Sequence, residues 1–165
     1  VVWDLMIHDI DIMIDLVGSP VSSINSVGLS VYSDKEDLAI VQVVAENGCL
    51  ANLVASRISS VRSRKLIVQE DEHAFSLDLI NQTLAILRPP GGDHTNPPEY
   101  VPIKKEEPLR LELLHFIDCI TTHKSPIVSG EDGKKALDLA LQIVNRMQVI
   151  NGSKEMGKKL LASAM

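Results

Sequence analysis

The chain has 165 residues, about the size of one domain. A chain of that length buries roughly two-thirds of the surface its unfolded form exposes, so neither a disulfide nor a metal is needed to hold it together. Its net charge is −6 and its largest basic cluster is Arg62, Arg64 and Lys65, which argues against a phosphate-tracking surface and so against nucleic acid as a partner.

In chain order, Asp4 to Val17 reads as a helix stopped by Gly18, Ser19 and Pro20. Val21 to Ser33 is one or two strands, with Gly28 as a bulge position. Leu38 to Glu46 and Leu50 to Ile58 pair as a hairpin across Asn47-Gly48. Leu66 to Glu70, Phe75 to Leu79 and Thr83 to Leu87 continue as a meander. Arg88 to Tyr100, rich in Pro and Gly, is a loop.

Glu107 to Thr122 is the second helix. Pro108 suits its first turn, and Leu109, Leu113, Phe116, Ile117 and Ile120 form its apolar stripe. Glu131 to Ile150 is the third, with Ser129 and Asp132 spaced as a capping box. Its expected stripe is Ala136, Leu137, Ala140, Leu141, Val144 and Met147. Residues 151–165 form a polar C-terminal tail.

This order predicts an α+β fold: an open, mainly antiparallel sheet of about six strands with helices packed on one face. Within the hairpin, Ala39, Val41, Val43 and Ala45 point one way, and Leu38, Ile40 and Val44 the other. Both faces are apolar, so both are expected to be covered. Helices account for one face. A partner subunit or domain is expected on the other; a loop or the tail is the alternative.

Cys49 and Cys119 lie far apart with no C-x-x-C, as suits reduced thiols in a cytoplasmic protein. No apolar run is long enough to span a membrane, and Asp4, His8, Asp9 and Asp11 break up any signal-like stretch at the start. The chain opens without Met, directly on a patterned apolar segment, which reads as an excised domain of a longer protein.

On a wheel of 100° per residue, Asp4, His8, Asp11 and Asp15 fall in a stripe roughly 60° wide along an otherwise apolar helix. Spacings of three and four residues make Asp4, His8 and Asp11 neighbours. Carboxylates on either side of an imidazole orient its ring and support its charged form, which suits a general base near neutral pH. The same pattern also describes a structural ion-pair cluster. A metal held by Asp4, His8 and Asp11 is a third reading, though three ligands from one helix rarely converge. Arg57, Arg62 and Arg64 gather near a strand end, where they suit either a substrate phosphate or a subunit salt bridge.

The D-x-x-x-H-x-x-D run formed by Asp4, His8 and Asp11 resembles the first helix of the C-terminal, substrate-binding domain of the Gfo/Idh/MocA oxidoreductases. Ser63 to Val68 is similar to the family's segment entering a central strand. Glu107 to Leu109 with Glu112 and Phe116, then Pro126 to Gly133 with Ala136 and Leu137, is similar to its C-terminal helix pair. The likeness covers residues 1–150. Arg64-Lys65-Leu66 and Leu77 to Gln82 most resemble the branch acting on UDP-N-acetylhexosamines.

The resemblance implies that residues 1–150 are a substrate-binding and oligomerisation domain, with His8 as acid/base and Asp4 as its orienter or a substrate contact. It also implies Asp11 as a substrate ligand; Arg64, from the basic group near the strand end, is the other candidate substrate ligand. The full-length protein would then be a dehydrogenase using NAD or NADP on a sugar, cyclitol or nucleotide-sugar hydroxyl, and a homo-oligomer through the open sheet face. No G-x-G-x-x-G loop and no Glu-Lys-Pro segment occur here, so the Rossmann half is absent and this chain alone is expected to be inactive. A non-catalytic module that assembles through its sheet is the alternative.

Overall fold

A computed structural model describes residues 1–71, 73–87 and 98–151. The fold is mixed α+β with mostly antiparallel strands, as expected, and its strands divide between two four-stranded sheets. The chain forms two compact units: residues 1–59 with 127–165, and residues 60–126.

The first unit holds strands β1 (Val21–Ser30), β2 (Leu38–Ala45), β3 (Leu50–Ser56) and β8 (Gln148–Asn151), in the order β3-β2-β1-β8. The β2–β3 hairpin turns at Asn47-Gly48 as the sequence predicts, and Gly48 takes φ +87°. The Asn47 side chain also donates to the Val17 carbonyl at 3.2 Å, tying this turn to the end of the first helix. That helix, α1 (Ile7–Val17), ends on Gly18, left-handed at φ 57°, whose N–H returns to the Ile14 carbonyl.

A wide π turn, Val2–Met6, precedes α1. The Val1 carbonyl accepts from both Leu5 N–H at 3.0 Å and Met6 N–H at 3.1 Å. Such widened turns recur at functional sites. The helix buries Val2, Met6, Ile10 and Met13, a stripe at spacings of three and four. Trp3, Leu5 and Leu16 are exposed, so its open face is broader than the thin polar seam the wheel predicts.

Helix α3 (Gly130–Arg146) starts with the expected capping box between Ser129 and Asp132. Two expectations about it are corrected. The buried stripe is Ala136, Leu139, Ala140 and Ile143, while Leu137 and Leu141 are exposed. Residues 148–151 also leave the helix to form β8, parallel to β1. The vacant edge of β1 offers backbone partners to Val149 and Ile150, whose β-branched side chains suit a strand.

Met6, Ile10, Val41, Val43 and Ile143 are among the most deeply buried side chains, in a core between α1, α3 and one sheet face. On the other face Ile40 is 50% exposed and Val54 63%. Both faces therefore carry apolar side chains, as the sequence predicts, and within this chain the second is exposed.

Gly28 is not a bulge. It pairs in register with Ala39, and the irregularity in β1 falls between Val21 and Ser23. Its role is space: a Cβ there would lie 2.6 Å from Met147 Sδ and 3.0 Å from Glu36 Cβ.

The second unit holds β4 (Lys65–Gln69), β5 (Ala74–Asp78), β6 (Thr83–Leu87) and β7 (Glu99–Val101), paired antiparallel in sequence order. Its helix α2 (Pro108–Thr122) is capped by the Glu107 carboxylate, which accepts from Leu109 and Arg110 N–H. The apolar stripe predicted for α2 is exposed, Leu109, Leu113, Phe116, Ile117 and Ile120 included; Cys119 is the residue it buries. Most of the predicted Arg88–Tyr100 loop, with His94 and the Gly91-Gly92 pair, lies outside the described residues. So does the tail after Asn151.

Candidate functional site around Asp4 and His8

Asp4 sits in the π turn and His8 near the start of α1, both exposed. The i,i+4 contact expected between them is not made. The Asp4 carboxylate turns instead to Arg57, just beyond the end of β3, whose Nη2 donates to Oδ2. The wide turn ahead of Ile7 takes Asp4 off the regular wheel that placed it over His8. Partial burial works to raise the Asp4 pKa, but the hydrogen bond from Arg57 and its positive charge outweigh that and hold the carboxyl below its ordinary value.

Asp4 is 47% exposed and Arg57 50%. An ion pair this exposed adds only about 0–1 kcal/mol to stability. Its consequence is orientation. Oδ2 is taken by Arg57, and Oδ1 lies 3.7 Å from the Val1 nitrogen.

The start of this segment is held from a distance. Glu36 Oε1 accepts from the Val1 nitrogen at 2.7 Å and the Val2 nitrogen at 3.3 Å. It supplies the acceptor that an N-terminal turn lacks internally. Asp37, next along, is buried and locks the bend after β1. Its carboxylate accepts from the N–H groups of Val31, Tyr32 and Ser33 at 2.9, 2.7 and 3.0 Å, and from the Ser33 hydroxyl at 3.0 Å. These donors, the Tyr32 N–H foremost, hold its pKa far below the usual carboxylate range.

Asp11 is half-buried and faces elsewhere. With Asp15, Asp132, Lys135, Asp138 and Gln142 it lines a cleft of about 880 Å³ between the second half of α1 and the start of α3. The seam read from the wheel thus divides, with Asp4 joined to β3 and Asp11 turned toward α3. Arg64 belongs to the second unit, where its carbonyl accepts from Leu79 N–H at 2.9 Å. Asp4, His8 and Asp11 do not form a metal-binding set, and no other such group occurs among the described residues.

Sequence reasoning missed Glu36, Asp37 and the Asp4–Arg57 pair. Two adjacent acids before an apolar strand were a weak signal that they serve the backbone. Nothing local marks a partner 53 positions away.

The GFO/IDH/MocA C-terminal domain family matches residues 1–75. UDP-N-acetylglucosamine 3-dehydrogenase of Acidithiobacillus ferrooxidans is 32% identical over 147 residues, 87% of this chain and 47% of that protein. The scyllo-inositol 2-dehydrogenase (NAD(+)) of Bacillus subtilis is 27% identical over 151 residues, 86% of this chain and 44% of that protein. The solved structure of the A. ferrooxidans enzyme superposes with a TM-score of 0.81 at 31% identity, over 89% of this chain and 47% of that one. The chain spans about half the length of these relatives. In sequence and in fold it belongs to the Gfo/Idh/MocA oxidoreductase family, matching that family's C-terminal domain.

Proposed function

We propose that residues 1–150 are the substrate-binding half of a dehydrogenase that oxidises a hydroxyl of a sugar, cyclitol or nucleotide sugar. The observation that carries this is the exposed start of the first helix. An imidazole stands one turn after an ionised carboxylate that has one oxygen held and one left for a ligand. The names of the two relatives, one acting on a UDP-amino sugar and one on a cyclitol, support the substrate class.

In this reading His8 takes the proton of the hydroxyl as its carbon is oxidised. Asp4 bonds a neighbouring hydroxyl through Oδ1 or orients the substrate against His8. Asp11 and Arg64 are substrate ligands in the assembled protein. A nicotinamide, when bound, accepts the hydride; NAD is the form printed in the name of the B. subtilis relative. The glycines described here include no G-x-G-x-x-G turn opening a helix, so the cofactor would be held by a nucleotide-binding domain in a longer protein, and this chain alone would be inactive.

The open sheet face, with Ile40 and Val54, would join a second copy as a homo-oligomer. Among the described residues no helix is long and apolar enough to cross a membrane, in keeping with the cytoplasmic placement we propose.

The test uses the full-length protein carrying this chain, assayed for NAD(P)+ reduction with UDP-N-acetylglucosamine and with scyllo-inositol. His8→Ala should lower kcat by roughly 10²-fold or more, with cofactor affinity unchanged. Wild-type turnover in that variant refutes the reading.

A further inference from the structure

We propose that Arg57 is a positioning residue of this site: its guanidinium grips Asp4 Oδ2 and so decides which oxygen, Oδ1, is offered to the substrate. The proposal rests on the roles given above to Asp4 and His8.

Most half-exposed ion pairs do little, because two long side chains must be ordered to form them. Here the backbone on both sides is fixed by other bonds, so only the two side chains remain to be ordered. Arg57 is anchored through its backbone, whose N–H donates to the Asp37 carbonyl at 2.8 Å. Asp37 is itself immobilised by its four bonds to residues 31–33. The Asp4 side is anchored by the neighbouring residue, since Glu36 holds the nitrogens of Val1 and Val2. The dipeptide Glu36-Asp37 thus ties down both ends of the Asp4–Arg57 contact. Gly28 leaves room for Glu36, since a Cβ there would lie 3.0 Å from Glu36 Cβ.

A carboxylate without such a grip can rotate and present either oxygen. A misplaced contact at a reacting centre costs rate rather than binding. The charged side chains tied to this segment are Arg57, just beyond the end of β3, which bonds the Asp4 carboxylate, and Glu36, from the segment before β2, which holds the Val1 and Val2 nitrogens; His8, on α1, makes no bond to Asp4. Of the side chains, Arg57 alone bonds the Asp4 carboxylate among the described residues.

The test again uses the full-length enzyme. Arg57→Met keeps the apolar stem and removes the charge; Arg57→Lys keeps the charge and loses the planar fork. Arg57 lowers the Asp4 pKa, so its removal raises that pKa, and the acid limb of the pH profile should move to higher pH. At neutral pH kcat should fall roughly tenfold, with KM nearly unchanged, and Arg57→Lys should recover part of the loss. Carbon-13 NMR of the Asp4 carboxyl should show the same upward shift without reference to activity.

Combining Arg57→Met with Asp4→Asn should cost no more than Asp4→Asn alone, because Arg57 acts through Asp4. Losses that multiply overturn the proposal, as does an unmoved Asp4 titration. Should His8→Ala be inactive while Arg57→Met keeps its rate and pH profile, the proposal fails and the site reading stands. Full activity in His8→Ala removes both.

Discussion

Helices α3 and α2 have similar apolar spacing and comparable side-chain caps, yet they meet different ends. In the first unit α3 seats Ala136, Leu139, Ala140 and Ile143 in a core shared with α1 and the sheet. In the second unit α2 keeps Leu109, Leu113, Phe116 and Ile120 exposed and buries Cys119. An apolar stripe specifies that a helix has something to bury. It does not say that the same chain provides the surface to bury it against.

The comparison makes its largest prediction in the core. Ile143→Ala removes a fully buried side chain and should cost about 2–5 kcal/mol in urea denaturation. Ile117→Ala on α2, where the side chain is exposed, should stay within about 0.5 kcal/mol. Equal costs would mean that the two helices are packed alike after all.

A sharper version concerns the approach of Glu36 to β1. Gly28→Ala places a methyl against Met147 Sδ and Glu36 Cβ and should cost about 1–3 kcal/mol by overpacking. In the full-length enzyme it should also lower kcat, because the disturbance reaches the cap on Val1 and Val2. A loss of stability with an untouched rate would separate packing from the site.

A smaller effect than that of the core belongs to the caps, where the two helices are alike. Ser129→Ala should cost about 1 kcal/mol, read as a lower thermal midpoint. A change of several times that size would show that the capping box holds more than its own helix.

Much of the candidate site was legible in advance. Asp4 and His8 stand on the first helix near its exposed start, and Asp11 follows on the same element. Which neighbour each one chooses was not legible. The wheel assumed 100° per residue, and the π turn at Val2–Met6 breaks that assumption just where Asp4 sits. Asp11, on the regular part of α1, lines the cleft that α1 forms with α3, which the spacing alone does not reveal.

The sequence by itself determined what depends on neighbours along the chain. It set the stop at Gly18, the turn at Asn47-Gly48, the first turn of α2 at Pro108 and the Ser129–Asp132 box, each a matter of local dihedrals and short-range hydrogen bonds. It also determined that both faces of the hairpin would be apolar. Tertiary structure alone decided the grip of Arg57 on Asp4, the Glu36 cap, the face that α3 buries, and the conversion of residues 148–151 from helix to strand. Those outcomes depend on groups brought together from parts of the chain that are distant in sequence. A backbone edge or a carboxylate satisfies itself with whatever donor the fold carries within reach, and sequence distance does not measure that.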